Sequence, residues 1–183
     1  MRIIAGTARS LPLKSVPGTQ TRPTTDRIKE TLFNMLQEDI PGCAFLDLFA
    51  GSGQIGLEAL SRGADRAVFA DSGKKAAACI ADNIRFTKFE DRAKLIAADA
   101  VSALHILEGG APFDIIFMDP PYGMGMEQEV LAYLSGSSLA GTHTQIIVEA
   151  ARDTEFSYLE KYGFALVRLK TYKTNVHAFI RRK

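Results

Sequence analysis

With 183 residues, 46% of them hydrophobic and 23% charged, the chain has enough material for one globular domain with a sizeable core. No apolar run reaches the length of a membrane span, and Met1-Arg-Ile-Ile-Ala-Gly6 lacks a signal-like apolar stretch. Cys43 and Cys79 are too few for a disulfide framework and lack metal-ligand spacing, so both are expected to be buried thiols in a reducing, cytoplasmic protein without a metal. Net charge is only +1, but it is unevenly spread. Residues 1–25 and 168–183 carry ten basic side chains and no acid, leaving residues 26–167 with a balance of −9. An acidic body with basic ends can bind a polyanion if those ends lie together, or the ends can simply be solvated.

Residues 1–23 begin with a strand-like Arg2–Gly6 and continue through Pro12, Pro17, Gly18 and Pro23. That composition predicts an extended arm, an appendage rather than a separate domain, ahead of a main domain over 24–183. Thr24-Thr25-Asp26 reads as a helix start, with Ile28, Leu32, Phe33 and Leu36 on one side and Pro41-Gly42 as the stop.

Ala44–Phe49 reads as a strand, followed at once by Ala50-Gly51-Ser52-Gly53-Gln54-Ile55-Gly56 and a helix that stops at Gly63. Glycines at a strand-to-helix turn let the backbone approach a ligand closely. The spacing also fits a nicotinamide fingerprint. Asp47, inside the strand, can hold the turn or receive a cationic ligand group; it would repel a pyrophosphate.

Strands follow at 66–70, 93–97, 113–118 and 145–148, separated by helices at 74–89, 100–107 and 127–134. A helix at 156–162 and strands at 164–169 and 176–180, joined by a short polar loop, complete the chain as an antiparallel hairpin. His105 falls inside a helix as a structural or solvated residue. Alternating strands and helices predict a doubly wound, mainly parallel α/β sheet. Gly51–Gly53, Asp71, Asp99 and Asp119 then stand at successive strand ends, on the edge where such sheets bind ligands.

Asp119-Pro120-Pro121-Tyr122 is the most informative stretch. It stops the apolar run before it, because neither proline can continue a central strand. The result is a stiff loop offering a carboxylate, the Pro120 carbonyl and an aromatic face. Two acceptors and a ring suit a planar group that carries an NH₂. The plainer reading is a proline turn with Asp119 as its cap.

Asp47-Leu-Phe-Ala-Gly-Ser-Gly53 together with Asp119-Pro-Pro-Tyr122 resembles the S-adenosylmethionine-dependent methyltransferases of exocyclic amines. Met1-Arg-Ile-Ile-Ala-Gly6, Thr21-Arg-Pro-Thr-Thr-Asp-Arg27, Leu32-Phe-Asn-Met-Leu36 and Gly56-Leu-Glu-Ala-Leu-Ser-Arg-Gly63 narrow the resemblance to bacterial 16S ribosomal RNA guanine-N2 methyltransferases of the RsmD type. The resemblance implies a Rossmann-like, seven-stranded class I methyltransferase fold with an antiparallel last strand. It implies S-adenosylmethionine against Asp47, Phe49, Ala50, Gly51, Ser52 and Gly53, with Asp71 and Ser72 at the ribose and Asp99 and Ala100 at the adenine. Asp119, Pro120, Pro121 and Tyr122 would hold a flipped guanine, and Arg9, Arg22, Thr24 and Arg27 would contact ribosomal RNA or the small subunit. A monomer or weak dimer is expected. Asp71 stands where the family often has Glu, Ser72-Gly73 where bulkier residues are common, and Ser10 where glycine is frequent. Adenine N6 or a protein amide are alternative acceptors. A nicotinamide oxidoreductase would leave Asp119–Tyr122 without a task, and a non-catalytic RNA module would leave the four strand-end sites unexplained.

Overall fold

A computed structural model describes residues 1–18 and 25–183. Arg22 and Thr24 lie outside the described residues. In chain order the elements are α1 (Asp26–Met35), β1 (Ala44–Leu48), α2 (Gln54–Ser61), β2 (Arg66–Ala70), α3 (Lys74–Thr87), β3 (Ala93–Ile96), α4 (Ala100–Leu107), β4 (Ile115–Met118), α5 (Met126–Gly136), β5 (Gln145–Ala151), β6 (Phe164–Thr171) and β7 (Asn175–Arg182). They form a 7-stranded sheet of order β3-β2-β1-β4-β5-β7-β6. Strands β1 to β5 are parallel, and β7 runs antiparallel to both β5 and β6. This is the doubly wound sheet with an antiparallel hairpin that the alternation predicts. Strand order reverses between β1 and β4, which opens a crevice at their carboxyl ends.

Period-two alternation sends neighbouring residues to opposite faces. Leu46, Leu48, Ile116, Met118 and Val148 pack beneath α4 and α5. Phe45, Phe69, Phe117 and Ile147 pack beneath α1, α2, α3 and the arm. Both faces are covered, so the central strands are buried throughout.

Several elements shift by one or two residues from the pattern-based bounds, and three differ in ways that matter. Helix α1 stops at Met35, although Leu36 and Ile40 stay buried through turns in which the Asp39 and Ile40 amides donate to the Leu36 carbonyl. Core contact continues there without helical geometry. Residues 157–162 form a 3₁₀ helix rather than an α-helix. Strand β5 runs on to Ala151 because β7 pairs with it from Ile146 to Ala151, so Glu149 lies inside a strand opposite His177. Cys43 and Cys79 are buried and free, and burial pushes the Cys43 thiol up to about 12.

The arm is folded against the domain. Ile3, Ala8 and Leu13 are buried, and an isolated bridge joins Arg2 to Pro12. The Ile4 and Ala5 amides donate to Glu58 of α2 at 2.8 and 3.0 Å, and the Thr7 amide donates to the Ser61 carbonyl at 2.8 Å. Gly6 makes this approach possible: it has φ +83°, and a Cβ there would stand 1.8 Å from the Ser61 carbonyl oxygen. Ser10 has φ +68°, a left-handed conformation that glycine adopts at lower cost.

Candidate active site

The turn between β1 and α2 is built around backbone that ordinary residues avoid. Phe49 has φ +61°, and Gly51 and Gly53 follow at +57° and +77°. A bulky residue in the left-handed region stores strain of about 1–3 kcal/mol, and such positions cluster at binding sites. The motif alone gives no sign of this at Phe49. The three glycines also have different tasks. A Cβ on Gly56 would sit 2.3 Å from the Phe69 ring, so this glycine lets α2 pack on β2. A Cβ on Gly51 would meet nothing within 4 Å. Open space at Gly51 is the side on which a ligand can touch the backbone.

Two acids brace the turn. Asp47, 1% exposed, accepts the Gly56 amide at 2.9 Å. Asp71 follows β2 and accepts the Gly51 amide at 2.8 Å through one oxygen and the Gly73 amide at 2.8 Å through the other. Asp47 therefore holds the turn, and burial, with Asp71 nearby, pushes its carboxyl up to about 7. The sign of the linkage follows from this. The folded state holds the Asp47 proton more tightly than the unfolded chain, so its stabilising contribution is full near the ordinary value of 3.8 and is lost as pH rises through about 7. Asp47→Asn should keep the Gly56 contact and lose this dependence. Relative to wild type it should gain on the order of a few kcal/mol between pH ~4.5 and 8 in urea unfolding. Parallel curves for the two proteins would contradict the assignment.

Asp119 follows β4 at the switch point. Burial, then Glu149, then Asp47 hold its carboxyl well above the usual carboxylate range. No hydrogen bond engages its side chain among the described residues, unlike those of Asp47, Asp71 and Asp99. Pro120 is buried and Pro121 exposed, while Tyr122 is 48% exposed and donates its hydroxyl to Glu149 Oε1 at 3.3 Å. Glu149, Asn175 and His177 were not foreseen as part of this site. Glu149 accepts Asn175 Nδ2 at 2.6 Å through Oε1 and contacts His177 Nε2 at 3.0 Å through Oε2. Their signal in the sequence is weak: three polar residues at positions where two central strands should be apolar.

The structure thus gathers Gly51, Gly53, Asp47, Asp71, Asp119 and Glu149 around the ends of β1, β2, β4 and β5. Ala50 and Ser52 are buried within the turn, and Ser72 is exposed beside Asp71. Asp99 stands beyond β3 as the N-cap of α4, accepting the Ser102 amide at 2.9 Å and the Ser102 hydroxyl at 2.7 Å; these bonds hold it below the usual carboxylate range. Ala100 is buried in the first turn of the same helix. Arg9 and Arg27 are exposed, on the arm and in the first turn of α1. Arg168, Lys170 and Arg181 sit on β6 and β7, at the opposite edge of the sheet from β3. His105 meets Tyr133 edge-on at 4.6 Å between ring centroids, outside this site.

Mutually repelling acids beside an open glycine turn, Asp119 among them without a hydrogen bond among the described residues, suit a ligand that brings positive charge. The sheet order, the glycine turn and the acids define a Rossmann-like, S-adenosylmethionine-dependent methyltransferase. More specifically, the chain belongs to the family described as Conserved hypothetical protein 95, whose model matches residues 1–181. YlbH of Bacillus subtilis (strain 168) is 37% identical over 174 residues, covering 94% of each chain. Ribosomal RNA small subunit methyltransferase D of Escherichia coli (strain K12) is 38% identical over 152 residues, covering 82% of this chain and 74% of that protein. The solved structure of yhhF from Escherichia coli matches with TM-score 0.84 and 33% identity, covering 100% of this chain and 98% of the other. No helix among the described residues is long and apolar enough to cross a membrane, and no group of three or more His, Cys, Asp or Glu there could hold a metal ion.

Proposed function

We propose that this chain transfers a methyl group from S-adenosylmethionine to the exocyclic N2 amine of a guanine in small-subunit ribosomal RNA. The observation that carries the reading is the Asp119 carboxyl, without a hydrogen bond among the described residues, set on the rigid proline loop beside the open glycine turn. S-adenosylmethionine supplies an activated methyl on a cationic sulfur, a charge that the surrounding acids accommodate. Gly51 and Gly53 bring backbone up to its methionine part, framed by Asp47, Phe49, Ala50 and Ser52. Asp71, with Ser72, takes the ribose hydroxyls in this reading, and Asp99, with Ala100, the adenine amine. Both acids are preset for this by the amides and hydroxyl that they already accept.

A guanine amine is a poor nucleophile because its lone pair is delocalised into the ring. Asp119 and the Pro120 carbonyl accept its two hydrogens, localise the lone pair and aim it. Positioning of this kind supplies most of the acceleration. The tyrosine ring stacks on the extruded base, as enzymes that act on bases require. Asp119 acts as an acceptor, and the proton that the amine gives up passes to water late. Pro121 stiffens the loop.

Residues 1–23 form the RNA-binding arm of the reading, on a methyltransferase domain of residues 24–183. Arg9 and Arg27 contact phosphates, with Arg22 and Thr24 in the segment between them. Neutralising Arg9 and Arg27 together should weaken RNA binding and flatten its salt dependence; unchanged binding would return both to ordinary surface residues. The protein works in the cytoplasm, as a monomer or weak dimer.

The function itself is tested by incubating the protein with labelled S-adenosylmethionine and small-subunit RNA or particles that lack the modification, followed by nucleoside analysis. N2-methylguanosine is the expected product. Cofactor binding without labelled RNA would overturn the acceptor and turn the search to adenine N6 or a protein amide.

A further inference from the structure

The methyl-transfer reading uses Tyr122 as a platform for the base but does not explain what fixes the ring. Tyr122 is 48% exposed and precedes Gly123 and Gly125, which have φ +73° and +69°. Without a tether a half-exposed ring samples several rotamers, and a base that stacks on it must order it on binding. We propose that Glu149 is the positioning residue of the acceptor site: it tethers Tyr122 through the tyrosine hydroxyl, and Asn175 and His177 of β7 lock it in turn. The inference rests on the methyltransferase reading for its purpose, although the tether can be measured without it.

The geometry is specific. Glu149 is 6% exposed. One of its oxygens accepts both the Tyr122 hydroxyl, at 3.3 Å, and Asn175 Nδ2, at 2.6 Å. The other faces His177 Nε2 at 3.0 Å, while His177 Nδ1 faces the Tyr172 hydroxyl at 3.4 Å. A single tautomer satisfies both contacts: Nε2–H donates to the carboxylate, and Nδ1 accepts from Tyr172. The rings of Tyr172 and Phe117 meet the imidazole edge-on, at 5.0 and 6.0 Å between centroids. The imidazole is therefore held on two sides.

Stability alone does not account for this cluster. Glu149 and His177 face one another across β5 and β7, where an apolar pair of similar volume would serve at least as well. Asn175 leaves Oδ1 buried without a partner among the described residues while delivering Nδ2 to Glu149. Local rules of polar satisfaction are broken mostly at functional sites. Glu149 also lies close enough to Asp119 to raise that carboxyl further, after burial.

The first test is nitration of the full-length protein by tetranitromethane at mildly alkaline pH, with the rate at Tyr122 followed by peptide mass. The reagent attacks the phenolate, which the Glu149 charge and hydrogen bond disfavour. Glu149→Gln and, independently, Asn175→Ala should speed nitration at Tyr122 several-fold and leave Tyr133 unchanged. Equal Tyr122 rates in folded variants would overturn the tether. The second test is a double-mutant cycle in methyl transfer. Tyr122→Phe, at an exposed position, and Glu149→Gln should each lower kcat/KM for RNA by about tenfold. The double variant should be no worse than the poorer single one, with cofactor affinity unchanged throughout. Losses that multiply, or a fully active Tyr122→Phe, would remove the positioning role. A wild-type protein that methylates no RNA would sink the functional reading instead, and nitration would still decide the tether.

Discussion

Asp119→Asn should bind S-adenosylmethionine nearly as the wild type does and lose methyl transfer by about 10²–10³-fold in kcat, the scale seen when one preorganised group is removed from a reacting centre. Asparagine keeps the shape and one oxygen, but it removes the charge that draws the amine hydrogens and sets an NH₂ beside the acceptor amine. The same substitution should not destabilise the fold at neutral pH. Burial, Glu149 and Asp47 hold the Asp119 carboxyl well above its ordinary range, so its protonated form is the one that the fold favours. That contribution is full below the unfolded value and is lost as pH rises through the folded one. Above the ordinary carboxylate value the unfolded wild-type chain ionises this carboxyl freely while the fold resists it, a penalty that the variant lacks. Urea unfolding at pH 8 should therefore find Asp119→Asn at least as stable as wild type, with any advantage shrinking toward pH 4. An inactive and clearly less stable variant would make Asp119 a structural residue. An active one would end its role as acceptor.

The opposite movement of activity and stability follows from where the acid sits. A carboxylate that is desolvated, repelled by neighbours and left without a hydrogen bond is poor engineering for a fold and good preorganisation for a base that arrives with two N–H groups. Each of the other strand-end acids has backbone or hydroxyl partners, which suits residues that frame a cofactor through oxygens already aimed.

Local pattern was enough to read most of the fold. Strand β2 and helix α4 begin and end where the sequence pattern places them, because a glycine or a capping acid marks each boundary. The end of α1 was not legible: Leu36 and Ile40 stay apolar and buried after helical geometry has stopped, and periodicity reports burial rather than hydrogen bonding. The glycine turn and the Asp119 loop were legible as motifs, since glycine and proline constrain backbone locally. The Glu149 cluster was not. Its members are 26 and 28 residues apart and meet only through antiparallel pairing. Nothing local to Asn175 or His177 reports that a carboxylate will stand opposite. Phe49 was read as a ligand neighbour but not as a strained one, because a φ of +61° is dictated by the turn and not by the residue's own preference.

Glu58→Ala should have the largest effect on stability. Glu58 is fully buried and serves four donors. It accepts the Ile4 and Ala5 amides of the arm and Arg62 Nε at 2.8 Å, and it pairs with Lys29 Nζ at 3.4 Å. Lys29 is equally buried and also donates to the Arg2 carbonyl. Removing the acid strands a lysine whose pKa burial already lowers, and leaves two arm amides without acceptors. Breaking one partner of a buried ion pair costs about 3–5 kcal/mol. Urea unfolding of Glu58→Ala should show a loss of that size, and limited trypsin digestion of the still-folded protein should cut faster at Arg9 and Lys14. A Lys29→Met, Glu58→Met double variant should recover part of the stability, because the fully buried lysine charge is then gone, although Arg62 still loses its carboxylate, but not the protection of the arm, because its amides still lack acceptors. If the arm binds RNA in its docked form, both variants should weaken RNA binding more than cofactor binding. A full-strength RNA complex with a released arm would take residues 1–18 out of the interface. A loss well under 1 kcal/mol would mean that the Glu58 cluster contributes little and that Gly6 and the apolar contacts of Ile3, Ala8 and Leu13 hold the arm by themselves.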